Sequence, residues 1–128
     1  MPGKNVSGTP ASIRESLKKA TTEMLVLFLL QQKPMYTYEM MATVERLSGG
    51  GIQFNTLYQA IYRLQGFKYI EESDKLLSDA NRVRIYFSIT ESGREYLSEL
   101  EAEYRSTVSA IDRVLSLGGK IVGEADDE

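Results

Sequence analysis

The sequence of 128 residues contains no cysteine and no histidine. Without cysteine there is no disulfide framework, no thiolate nucleophile and no cysteine-based zinc site. Without histidine the usual general base, the usual activator of a nucleophile and the commonest metal ligand are missing too. Carboxylates remain, but most recur at helical spacing on polar faces. No enzyme is expected, and no cofactor or metal. Long apolar runs are also lacking: the longest, Met24 to Leu30, is far too short to span a bilayer. The opening Met-Pro-Gly-Lys-Asn has no apolar stretch of the signal-peptide kind, so a cytoplasmic location without a membrane partner is expected.

What is present is 42 % hydrophobic, enough for one modest core, with or without a helical extension. The net charge of −3 at first argues against a polyanionic partner. Its distribution argues otherwise. Through Arg94 there are 12 basic and 9 acidic residues, leaving +3; from Glu95 onward 3 basic and 9 acidic residues leave −6. That asymmetry suits a mildly basic binding module joined to an acidic helix facing away from a polyanion.

The most informative stretch begins at Phe54. Asn55 can cap a helix by offering its side-chain oxygen to a free backbone N–H. Leu57, Ala60, Ile61 and Leu64 then recur at helical spacing and point inward. Thr56, Tyr58, Gln59, Tyr62 and Arg63 are left outside, carrying the hydroxyl, amide and guanidinium groups that meet phosphates and base edges. Alone, this would be an ordinary amphipathic helix with a solvated face. A hairpin bearing Arg82 and Arg84 follows it, and that pairing is the layout of a winged helix-turn-helix.

The rest of the chain agrees with this order. Residues 1–11 are small and polar and predict a flexible arm. Ser12-Ile13-Arg14-Glu15 matches a capping box. From there Ile13, Leu17, Ala20, Met24, Leu27 and Phe28 predict a long first helix, apolar and buried on every side near its end, and stopped at Lys33-Pro34. A second helix is predicted over Thr37 to Ser48, with Tyr38, Met41, Val44 and Leu47 facing in. Gly49-Gly50-Gly51 ends it; with no Lys-Ser/Thr partner and no preceding strand, it is a turn and not a phosphate loop.

The third helix runs from Asn55 to about Gly66, and Tyr69 to Glu72 reads as a short strand. Ser73 to Arg82 reads as a long hairpin tip. Val83, Ile85, Phe87 and Ile89 alternate with Arg84, Tyr86 and Ser88 in the period of a half-buried strand. A last helix is predicted from Thr90 to about Leu117, where Gly118-Gly119 stops it. Its stripe Leu97, Leu100, Tyr104, Val108, Ile111 and Leu115 is too long to be covered by the domain before it. Burying each such side chain contributes about 1.5–3 kcal/mol. A second copy related by two-fold symmetry is the simplest cover. The fold class is therefore mainly α with a small β-hairpin: a winged helix-turn-helix domain over 12–90 and a long dimerisation helix over 91–117. Residues 118–128 predict a disordered acidic tail.

With these motifs in hand, the chain resembles the PadR family of transcriptional regulators in its short form with one C-terminal helix. Asn55-Thr56-Leu57-Tyr58 is similar to the family's Gly/Asn-Thr-Leu-Tyr, and Arg63-Leu64 to its Arg-Leu. Arg84-Ile85-Tyr86-Phe87-Ser88-Ile89-Thr90-Glu91-Ser92-Gly93 resembles the Arg-x-Tyr-Tyr-x-Leu/Ile-Thr-x-x-Gly that closes the wing. The likeness runs from about Ala20 to Leu117. Two positions depart from it: Thr37 replaces the Gly before the Tyr of helix 2, and Lys68 stands where a Gly precedes the first wing strand.

The resemblance implies a cytoplasmic homodimer that represses transcription from a palindromic operator in double-stranded DNA. It also implies that a small aromatic or hydrophobic effector could release the DNA from near the dimer interface. No Trp is present to stack on such an effector. Tyr104 is the aromatic candidate on the stripe. A different class of function, a winged-helix module that binds another protein and never DNA, fits the acidic net charge. It gives no reason for Arg63, Arg82 and Arg84.

Overall fold

The computed structural model describes residues 7–77, 81–119 and 121, and only the backbone of Lys75 and Leu77. Seven elements follow in order: α1 (Ala11–Gln32), β1 (Met35–Tyr36), α2 (Thr37–Leu47), α3 (Tyr58–Gly66), β2 (Ile70–Leu77), β3 (Val83–Ile89) and α4 (Glu91–Leu115). The expected hairpin is thus part of a three-stranded antiparallel sheet of order β1-β3-β2. The chain divides into two compact units, residues 1–97 and 98–128. Most of the expected arm and acidic tail, 1–6, 120 and 122–128, lies outside the described residues.

In the first unit the core gathers on the second half of α1, where Val26, Leu27, Leu29 and Leu30 are buried. They meet α2, α3 and β3. Two expectations for α1 fail. Ser12 and Glu15 form no capping box; the helix starts at Ala11, two residues before a Ser12 cap would start it, after Pro10 and with no side-chain cap. The end of α1 is not buried on every side either, since Phe28 is 40 % exposed, and Ile13 and Leu17 further back are more exposed still. A helix at the edge of so small a core can bury only the turns that other elements reach.

Lys33 leaves the helix in extended geometry (φ −171°, ψ 162°), as a residue before proline must. The two residues after Pro34 use that direction to pair with β3, Met35 opposite Phe87 and Tyr36 opposite Tyr86. In α2 the buried residues are Met40 and Val44, whereas Tyr38 and Leu47 are exposed at 71 % and 61 %. The inward stripe is therefore displaced from the expected one: Met40 and Val44, one turn apart, fill the side of α2 that faces the core. Gly49 and Gly50 end α2 at φ +64° and +84°, and their N–H groups donate to Arg46 O and Glu45 O.

The wing is longer than its sequence implies. β2 continues through the polar stretch to Leu77, paired residue by residue with β3 past a bulge between Glu72 and Asp74. A two-stranded ribbon with solvent on both faces tolerates charged residues at either register, which hides such a strand from a periodicity argument. Of the alternating residues on β3, Phe87 and Ile89 are buried, but Val83 and Ile85 lie in the outer half of the ribbon and are exposed.

The junction from β3 into α4 explains the Thr-x-x-Gly sequence. Thr90 donates its backbone N–H to Tyr69 O, and its hydroxyl oxygen accepts the N–H of Gly93 at 3.1 Å, capping α4. A Cβ on Gly93 would lie 2.1 Å from Tyr69 O, so only glycine fits. Tyr96, one turn on, stacks on Tyr69 with ring centroids 4.3 Å apart, and Leu97 is buried. In the second unit, α4 continues to Leu115 with Leu100 and Val108 half-buried and Tyr104, Ile111 and Leu115 exposed. Gly118 and Gly119, both at positive φ, follow it.

Candidate nucleic-acid interface

From Arg46 to Ile70 the chain carries three basic residues and no acidic one. α3 lies within this stretch. Its buried side, Ala60, Ile61 and Leu64, with Leu57 just before, is the expected one. Tyr58 and Tyr62, one turn apart, are 81 % and 79 % exposed, and Thr56, Gln59 and Arg63 are exposed as well.

The start of α3 differs from expectation. Asn55 caps nothing, because the helix begins at Tyr58. Thr56 does the local work instead, its hydroxyl oxygen accepting the Tyr58 N–H at 3.3 Å. This short-range bond is the kind that Ser and Thr offer in competition with a regular helix start. Asn55 and Thr56 thus sit in the turn leading into α3, exposed but off the helix.

α3, the first turn of α2 and β3 enclose an open groove of about 640 Å³. Tyr58 and Tyr62 form one wall, Val83 and Ile85 of the wing the other, and Tyr36 and Tyr38 line it from the start of α2. Four of the eight tyrosines of the chain therefore face one opening. Sequence periodicity misses Tyr38, which it turns inward, and Tyr36, which belongs to a two-residue strand with no pattern of its own. The apolar wall of Val83 and Ile85 is likewise hidden, since alternation alone marks both as core.

Arg84 borders the same groove. Its guanidinium lies 4.5 Å from the centre of the Tyr36 ring, over the negative face of the π-system. Tyr36 in turn meets Tyr86 edge to face at 5.3 Å. β1 therefore gives the wing arginine an aromatic seat. Arg82 is exposed at the base of the wing tip. Arg63 is held differently: its Nε donates to a carboxylate oxygen of Glu23 on α1. The polar side of α3 is thus divided between tyrosines facing the wing and an arginine tied to the first helix. At the end of α1, Lys33 bonds Glu39 at 2.8 Å, and that carboxylate raises the lysine above its ordinary pKa.

Exposed phenols, amides and guanidinium groups on a short helix, beside an arginine-bearing hairpin, are the kinds of group that phosphates and base edges accept. Comparison with known proteins decides its class. A sequence model of the PadR-like family of transcriptional regulators matches residues 26–99, more than half of the chain. The chain belongs to the PadR-like family. Its members are transcriptional regulators that bind DNA, which sets aside both the adapter module and an enzyme.

Solved structures agree on the fold of this PadR-like protein. A transcriptional regulator of Clostridium thermocellum is similar at a TM-score of 0.68 and 23 % identity, over 77 % of this chain and 96 % of that one. A PadR family transcriptional regulator of Eggerthella lenta gives a TM-score of 0.65 at 26 % identity, over 82 % of this chain and 87 % of that one. An uncharacterised protein of Lysinibacillus sphaericus is 29 % identical over 102 residues, 78 % of this chain and 93 % of the relative. Among the described residues, no helix is long and apolar enough to cross a membrane, and no group of acidic side chains could hold a metal ion.

Proposed function

We propose that this PadR-like regulator is a cytoplasmic homodimeric repressor that binds a palindromic operator. The domain over 12–90 reads the DNA, with α3 in the major groove and the wing against the flanking backbone. The helix over 91–117 joins two copies. The observation that carries this reading is the tyrosine-rich face of α3, with no acidic residue of its own, set across a groove from the wing that holds Arg84. Tyr58, Gln59, Tyr62 and Arg63 are the groove contacts, with Asn55 and Thr56 at the entry to the helix and Arg82 and Arg84 on phosphates.

For dimerisation, the support is the exposure of Tyr104, Ile111 and Leu115 on α4 together with Ile13 and Leu17 on the first half of α1. Leu97, buried within its own unit, belongs to the base of the stripe and not to its contact edge. An effector of small aromatic or hydrophobic type would lodge between the long helices beside Tyr104. By linkage it must bind the free dimer more tightly than the DNA-bound one, and DNA must weaken its binding by the same factor. Tyr104→Ala would then abolish release of DNA.

Replacing Tyr62 by Ala tests the groove reading. Discrimination between operator and random duplex should fall, at most by the 1–3 kcal/mol or so that a good groove contact contributes. Competition binding with both duplexes measures it; an unchanged ratio would remove α3 from the major groove.

A further inference from the structure

We propose that Glu23 of α1 is a positioning residue for DNA recognition: it holds the Arg63 guanidinium by its Nε edge and presents the terminal nitrogens to DNA. The proposal rests on Arg63 being a DNA contact. The two residues are 40 apart in sequence, and the bond joins α1 to α3. Two further ion pairs, Lys18–Glu15 within α1 and Lys33–Glu39 at the start of α2, do not touch α3.

The order of the two side chains in the pair gives it direction. Glu23 is the inner partner with 25 % of its side chain exposed, and Arg63 the outer one with 51 %. A guanidinium has five N–H donors in a fixed planar fork. This bond uses Nε, so the terminal nitrogens, which make bidentate contacts to guanine or phosphate, stay outside it. Glu23 also stands on a firm base, because Val26 and Leu27, in the next turn of α1, are buried in the core. A long side chain held in one rotamer before binding loses less freedom on docking.

Charge alone makes the opposite prediction. A carboxylate beside a phosphate-binding face repels DNA, so its removal should strengthen binding to every sequence alike. Orientation of Arg63 matters only for the duplex that Arg63 reads. The two effects therefore differ in sign on the chosen sequence and can be separated.

The test uses the full chain, the duplex that wild-type protein enriches from a random pool, and a random duplex of equal length. Glu23→Ala should lower the ratio of the two affinities about two- to fivefold, the range of an exposed charge pair, with random-duplex binding unchanged or stronger. Glu23→Gln, whose amide oxygen still accepts the Nε–H, should recover most of the ratio. In an Arg63→Ala background, Glu23→Ala should change the ratio no further. An unchanged or increased ratio for Glu23→Ala, or an equal loss without Arg63, would overturn the positioning role. If Arg63→Ala alone leaves the ratio unchanged, the reading of Arg63 as a contact falls and the role of Glu23 with it. Thermal melting checks each variant, and Glu23→Met carries the same comparison should Glu23→Ala fail to fold.

Discussion

Lys68 shows how a single departure from a family pattern is resolved physically. The backbone there takes φ +64°, in the left-handed region that glycine adopts without cost. A non-glycine residue pays about 1–2 kcal/mol for it. The turn needs the conformation because Lys68 O accepts the hydroxyls of Thr90 at 2.7 Å and Ser92 at 3.2 Å, linking the end of α3 to the start of α4. Its side chain is exposed, so Lys68→Gly removes strain and no buried contact. Allowing for the greater freedom of glycine in the unfolded chain, a gain of about 0.5–1 kcal/mol is expected. Thermal unfolding should shift upward by a few degrees; a lower midpoint would show that the lysine side chain stabilises the turn. The sequence marks this position as unusual, because a missing glycine is visible. Tyr38 is different. Its apolar ring counts toward a buried stripe in any periodicity argument, but the inward side of α2 is filled by Met40 and Val44, and Tyr38 lines the groove instead.

Elements were legible where one buried face dictates them. α3 is the clearest case, its four inward residues spaced by the helix itself, and Phe87 and Ile89 fix the inner half of β3 in the same way. Their boundaries were not legible, since those depend on local bonds such as Thr56 to Tyr58 that compete with equally plausible caps at Asn55 or Ser12. β1 could not be read at all: two residues have no period, and they form a strand because β3 offers them a free edge. That small strand has a consequence for the wing. By seating Arg84 on Tyr36 it sets the reach of the cation that the proposed function places on phosphate, a contact that does not read sequence. Arg84→Ala should therefore weaken operator and random duplex nearly equally and reduce the slope of log affinity against log salt by about one. Titrations at several salt concentrations check this; a selective loss on the operator would make Arg84 a base contact.

At the scale of the whole molecule, the sign asymmetry and the exposed stripe of α4 belong together. The second unit is acidic, which suits a part that joins copies and leaves DNA to the first unit. If the stripe is an apolar seam between two copies, Val108→Asp with Ile111→Asp places charges in it, and light scattering should report monomers or aggregates. An unchanged dimer would move the seam elsewhere. A two-fold dimer also imposes a geometry on its target, because two recognition helices enter successive major grooves about 34–36 Å apart, roughly 10–10.5 base pairs centre to centre. Selection of duplexes from a random pool by the purified chain measures recognition and symmetry at once. Two inverted half-sites at that spacing are expected; no enrichment, or a single unpaired site, would contradict sequence recognition by a symmetric pair of winged helices.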